Sequence, residues 1–139
     1  MAADPNCIFC KIVKGEIPCV KLYEDAETLA FMDINPVHDG HCLVIPKAHS
    51  ANVFEVQPED FAAAARTAAK VAKAVRAAVS YDGINLMQAN GEGAGQSVGH
   101  VHLHIIPRKN GDGLLFNWKP QPGNLNQLAA VAERIQKLL

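Results

Sequence analysis

His100-Val101-His102-Leu103-His104-Ile105-Ile106, directly ahead of Pro107, is the stretch on which the reading of this chain turns. Three histidines alternate with apolar residues. Successive side chains on a strand point to opposite faces, so this alternation predicts a half-buried strand. The three imidazoles then share one face, and Val101, Leu103 and Ile105 enter the core. At about 3.3 Å of rise per residue, histidines two positions apart stand roughly 6–7 Å from each other, within reach of one phosphate group. A lone histidine on such a face is usually just solvated. Three at period two point to chemistry.

Upstream, Asn90-Gly91-Glu92-Gly93-Ala94-Gly95-Gln96-Ser97 runs directly into the row. Glycine-rich loops of this kind can bring backbone N–H groups close to phosphate oxygens, although most serve only to turn the chain. Ile84 to Ala89 alternates as another strand, after a helix from Pro58 to about Ser80. Pro58 suits the first turn of that helix, Glu59 and Asp60 suit its positive end, and Phe61, Ala65, Ala68, Val71, Ala72, Val75 and Val79 mark one apolar face. Lys70, Lys73 and Arg76 fall on the solvated side.

Further upstream, His41-Cys42-Leu43-Val44-Ile45 reads as a strand ended by Pro46. It delivers Lys47-Ala48-His49-Ser50 to a strand end, where a side chain can be aimed at a site. Val20–Glu24 and Thr28–Asp33 read as a hairpin linked by Asp25-Ala26-Glu27, and Ile34 to Gly40 as a loop interrupted by Pro36 and Gly40. Downstream, Lys109 to Gly123 is rich in glycine, proline and polar residues. Its Leu114, Leu115, Phe116 and Trp118 are placed to pack on the domain or on a partner. Leu125 to Leu139 closes the chain as an amphipathic helix through Leu128, Val131, Ala132, Ile135 and Leu138.

A chain of 139 residues, 49% of them hydrophobic, is large enough for one domain with a real core. The expected division is a core over 7–108 followed by a C-terminal loop and helix over 109–139. Thirteen basic against fourteen acidic residues leave a net charge of -1 and no basic stripe for nucleic acid. No apolar run reaches the roughly 18–20 residues that cross a bilayer, and no signal peptide is read, so the expectation is a soluble, cytoplasmic protein. In that setting Cys7-Ile8-Phe9-Cys10 suits half of a tetrahedral metal site or a pair of buried free thiols. Cys19 and Cys42 lack metal spacing and read as small packing residues.

Gly95-Gln96-Ser97-Val98 with the histidine row resembles the signature of the histidine triad (HIT) family of nucleotide hydrolases and transferases. Phe31-Met32-Asp33-Ile34-Asn35-Pro36 and His41-Cys42-Leu43-Val44-Ile45-Pro46-Lys47-Ala48-His49 resemble that family's other shared segments, in the same order. The resemblance runs from Cys7 to Arg108. It implies an α+β HIT-like fold with an antiparallel sheet of about five strands, one long helix and a C-terminal helix, paired into a homodimer. It also implies a pocket for a purine nucleotide, an AMP or GMP derivative. Asp33 would hold the ribose hydroxyls, and Ile34 with Phe9, Ile12 and Phe31 would line the base. Asp33 as a turn cap and the apolar residues as plain core remain the alternatives.

By the same resemblance, His102 is the nucleophile that attacks the α-phosphorus and forms a covalent nucleotidyl-histidine. A neutral imidazole suits this role because its unperturbed pKa is about 6.5. His104, Ser97, Gln96, Asn90 and loop N–H groups are the candidates for stabilising the phosphoryl oxygens. Ser97 or a neighbouring imidazole would relay a proton to the leaving group. Zinc is the expected ion, held by Cys7, Cys10, His49 and His100 in a closed and therefore structural site. Ser97 favours the Hint-like, adenosine phosphoramidase branch over dinucleoside polyphosphate hydrolases, which commonly carry threonine there. A non-catalytic nucleotide-binding module and a purely structural zinc domain are the readings outside enzymology.

Overall fold

Asp25 turns the first hairpin. Its Oδ1 accepts the backbone N–H groups of Glu27 and Thr28 at 2.9 and 2.7 Å and the Thr28 hydroxyl at 3.0 Å. One carboxylate thereby satisfies the donors that a tight link leaves over. The strands it joins are β1 (Lys21–Glu24) and β2 (Thr28–Met32), and the irregular register between Lys21 and Tyr23 marks a bulge at Leu22. This is a computed structural model, and it describes residues 2–114 and 119–139.

The remaining elements are α1 (Ile8–Val13), β3 (Cys42–Pro46), α2 (Pro58–Ala78), β4 (Gly83–Met87), a 3-10 turn over Glu92–Ala94, β5 (Leu103–Arg108) and α3 (Leu125–Gln136). The sheet order is β1-β2-β3-β5-β4, and each neighbouring pair is antiparallel. The fold is α+β, with the five-stranded antiparallel sheet, long helix and C-terminal helix expected.

Both faces of the central strands are covered, which is why β2 and β3 read as unbroken apolar runs. Against one face, α2 packs Ala64, Ala68, Val71 and Val75 onto Ala30, Val44, Leu103 and Ile105. Against the other, Phe9 and Cys10 of α1 join Leu29, Phe31, Leu43 and Ile45. Cys42 is buried in the first cluster and Cys19 lies against the second, as packing residues should. Truncating a fully buried residue such as Ile105 to alanine costs about 2–5 kcal/mol.

Two details of the sequence reading are corrected. Ala65 lies outside the buried stripe of α2, and Ala63, Ala64 and Thr67 are buried in its place. In a run of alanines the hydrophobic period carries no phase. A polar contact sets it here, between the Thr67 and Thr28 hydroxyls at 2.8 Å. The histidine row is also not one strand from end to end. Pairing begins at Leu103, opposite Val44, and runs through Pro107 to Arg108. His100 to His102 enter ahead of the ladder because the Val101 N–H donates to Ser50 O at 2.8 Å, away from the sheet.

The C-terminal helix forms over Leu125–Gln136, capped by the Asn124 side chain, yet Leu128, Val131 and Ile135 are all exposed. Residues Leu115, Phe116 and Trp118, read as candidates for packing, lie outside the described residues. Lys70, read as solvated, sits with its ammonium 4.2 Å from the centre of the Tyr23 ring.

Candidate active site and metal centre

The alternation in the row holds where it matters. Leu103 and Ile105 face α2, whereas His104 lies opposite Leu43 in the ladder, on the face covered by α1. Phe9 from α1 meets the rings of His100 and His102 edge-on, with centroids 5.9 and 5.3 Å away. The histidine face is therefore enclosed. His100 is fully buried, His102 is 4% exposed, and His104 is half-buried beside it with ring centroids 5.0 Å apart.

Burial disfavours the imidazolium form. It pushes His104 down to about 4, helped by the neighbouring His102 and His41 and opposed by Asp33. His102 is lowered chiefly by burial, against the hydrogen bond to the His100 carbonyl and the Asp33 charge. The row is a set of neutral rings at physiological pH, and a neutral ring has one N–H and one lone pair.

Backbone carbonyls decide which nitrogen keeps the lone pair. His102 Nδ1 is 2.7 Å from His100 O, so Nδ1–H donates and Nε2 is left bare. For His100 the assignment is reversed: Nε2 is 2.8 Å from Pro46 O, so Nε2–H donates and Nδ1 is left bare. That Nδ1 lies 3.4 Å from Cys7 Sγ, 3.6 Å from Cys10 Sγ and 3.2 Å from His49 Nδ1. Cys10 Sγ is in turn 3.4 Å from His49 Nδ1.

Zn–N and Zn–S bonds of about 2.0 and 2.3 Å imply edges of about 3.3–3.8 Å between ligand atoms of a tetrahedron; these four separations lie close to that range, and all four ligand atoms are within 4.8 Å of one another. A histidine whose other nitrogen donates to a carbonyl is also the usual arrangement of a metal ligand. Burial raises the Cys10 thiol above its ordinary pKa, so a cation is what would hold it as thiolate. The four residues are able to hold a metal ion. Cys7 is the N-cap of α1 and Cys10 lies one turn in, so the Cys-x-x-Cys spacing follows from the helix start.

Asp33 divides its two oxygens. Oδ1 accepts the Asn35 N–H at 2.8 Å, the turn-capping arrangement, while Oδ2 lies 3.3 Å from His41 Nε2 and 3.9 Å from His104 Nδ1. Of the apolar residues named from sequence, Ile34 is 82% exposed, Ile12 is half-buried, and Phe9 and Phe31 are buried edge-to-face at 5.5 Å. In the glycine-rich loop, Gln96 holds the turn together. Its Nε2 donates to Ala51 O and Val98 O, and its Oε1 accepts from Gly91 N–H. Asn90 Oδ1 accepts from Val53 N–H, and its amide pairs with Gln88. Ser97 is exposed.

One residue of this constellation escaped the sequence reading. His41 is 3% exposed, and its Nε2 is 2.9 Å from His104 Nδ1. Strand period held the signal, because His41 shares a face with Leu43, and Leu43 pairs with His104.

The family model described as HIT domain matches residues 14–111. The chain belongs to the HIT family. It is 47% identical over 131 residues to adenosine 5'-monophosphoramidase hnt1 of Schizosaccharomyces pombe, covering 94% of this chain and 96% of that one. It superposes with a TM-score of 0.91 on a HIT family protein from Bacillus anthracis, at 41% identity and 99% coverage of both chains. A zinc-bound histidine triad family protein from Mycobacterium smegmatis matches with a TM-score of 0.75 and 38% identity, over 95% of this chain and 97% of that one. No helix among the described residues is long and apolar enough to cross a membrane.

Proposed function

We propose that this HIT protein is a hydrolase of purine nucleoside 5'-monophosphates whose α-phosphorus carries an amine leaving group. The observation that carries the reading is the 2.7 Å hydrogen bond from His102 Nδ1–H to His100 O, which aims a bare Nε2 lone pair away from the backbone. His102 Nε2 attacks phosphorus, the P–N bond breaks, and the amine leaves with a proton relayed through the Ser97 hydroxyl. Water then hydrolyses the nucleotidyl-histidine, releasing the nucleoside monophosphate and restoring His102. His104 and loop N–H groups steady the phosphoryl oxygens. Asp33 receives the ribose hydroxyls, and the exposed Ile34 closes over the base together with Ile12 and the edges of Phe9 and Phe31. The hydrogen bonds that occupy Gln96 and Asn90 give these two residues the task of shaping the loop that presents Ser97.

Zinc held by Cys7, Cys10, His49 and His100 serves structure, tying α1 and the end of β3 to the start of the row. The similarity to hnt1 supports the phosphoramidate substrate, and the zinc-bound relative supports the ion. The reading takes 1–139 as one unit with its core over 7–108, working as a homodimer in the cytoplasm. The apolar residues exposed on α3 and Leu86 on the edge strand β4 support pairing, and four unbridged cysteines suit a reducing compartment.

Rapid-quench mass spectrometry tests the mechanism. Wild type with an adenosine phosphoramidate yields a nucleotidyl adduct on His102, and His102→Ala yields none. An unlabelled wild type that still binds nucleotide tightly would leave a binding module. Faster turnover of a diadenosine polyphosphate than of the phosphoramidate would move the protein to the other branch.

A further inference from the structure

We propose that His41 is a positioning residue that fixes the tautomer of His104, through a chain of hydrogen bonds starting at the Val37 backbone N–H. The inference rests on the reading of His104 as a donor to the phosphoryl group. The Val37 N–H donates to His41 Nδ1 at 3.1 Å. A neutral imidazole that accepts at Nδ1 carries its proton on Nε2. The Nε2 of His41 is 2.9 Å from His104 Nδ1, with Asp33 Oδ2 as a second acceptor at 3.3 Å. His104 Nδ1 therefore accepts, and the proton of His104 sits on Nε2, the one nitrogen left for a substrate oxygen. The opposite assignment, His104 Nδ1–H donating to His41 Nε2, would place the proton of His41 on Nδ1 against the Val37 N–H.

The loop that supplies this first donor is built to stay in place. Gly40 has φ +93°, and a side chain there would meet Val79, Pro107 and Val75 at 3.1, 3.2 and 3.3 Å. Asp33 Oδ1 fixes the near end through the Asn35 N–H, and the His41 N–H closes the far end on His38 O at 3.1 Å. His38 Nε2 lies 3.2 Å from Asp112, whose carboxylate is forked by Arg108 at 2.7 and 2.8 Å. The loop is thereby anchored to the end of β5, the strand that carries His104. A hydrogen bond held at one ring nitrogen in this way fixes which nitrogen of a working histidine is bare.

Long-range 1H–15N correlation spectra of the full chain, labelled with 15N-histidine, test the assignment without reference to activity. Wild type is expected to show both His41 and His104 as Nε2–H tautomers. His104 found as the Nδ1–H tautomer would overturn the proposal, even in a fully active enzyme. His41→Leu removes the donor at similar bulk, whereas His41→Gln offers an amide N–H near the position of Nε2.

The leucine variant should show His104 distributed over both tautomers and lose about 10–100-fold in kcat on an adenosine phosphoramidate, with KM little changed. The glutamine variant should recover most of both. A leucine variant that keeps the wild-type His104 tautomer refutes the relay, and if that variant fails to fold, the wild-type spectrum still decides. A protein without phosphoramidase activity that shows the expected tautomers would overturn the proposed function and leave the relay standing.

Discussion

His100 and His102 are two residues apart, buried, and packed edge-on against the same Phe9 ring, yet the backbone ties them by opposite nitrogens. Pro46 O takes the Nε2–H of His100 and turns Nδ1 toward two cysteines and His49. The carbonyl of His100 itself takes the Nδ1–H of His102 and leaves Nε2 bare. In the proposed reading, the carbonyl that each ring meets makes His100 a ligand and His102 a nucleophile. Composition does not distinguish them. The difference arises because the chain enters β5 only at Leu103, so that His100 and His102 bond to backbone outside the regular ladder.

The largest test of that contrast is loss of either ring. His102→Ala should lower kcat/KM on an adenosine phosphoramidate by at least about 10⁴-fold and abolish the covalent adduct, because no other bare Nε2 stands in its place. Its metal content should stay near that of wild type, and the stability lost by emptying this buried position is measured separately by chemical denaturation, so that the adduct is compared between folded proteins. An adduct on His100 or His104 in the wild-type protein would break the contrast. The next effect runs the other way. Cys7→Ser, or removal of zinc by a chelator, should cost on the order of 3–5 kcal/mol of stability in chemical denaturation, since the site joins α1 to the row. The folded fraction should still form the adduct. Zinc content that is substoichiometric and unchanged in Cys7→Ser would dissolve the metal half of the comparison.

The parts that the sequence made legible are those encoded in period and spacing. The runs Leu29-Ala30-Phe31 and Leu43-Val44-Ile45, the alternation of the row, and the Cys-x-x-Cys spacing each carry their own geometry. The illegible parts depend on register or on who meets whom. His41 is a single polar residue at a strand entry, and its partner is 63 positions away. Gln96 and Asn90 look like free amides beside a glycine-rich loop, but Gln96 bonds to Ala51, Val98 and Gly91, and Asn90 to Val53 and Gln88. In α2 the alanines conceal which turn faces the sheet. The α3 pattern announces an apolar face without announcing what covers it.

The smallest effect separates the rings by proton affinity. His104 is held near pKa 4 by burial, against about 6.5 for an exposed imidazole, and His41 beside it is also lowered by burial. Between those values the unfolded chain binds more protons than the folded one, so stability rises with pH across the window and is lost as pH falls from about 6.5 to 4. The contribution of His104 is on the order of 2–3 kcal/mol. Acid also releases a metal from cysteine and histidine ligands, so wild type alone cannot isolate this slope. His104→Asn keeps the metal ligands and removes the ring, and its denaturation midpoint should fall less steeply than that of wild type over the same range. Parallel curves would mean that the His104 ring charges as readily in the folded protein as in the unfolded chain, and the picture of an enclosed row of neutral imidazoles would fail at its outer end.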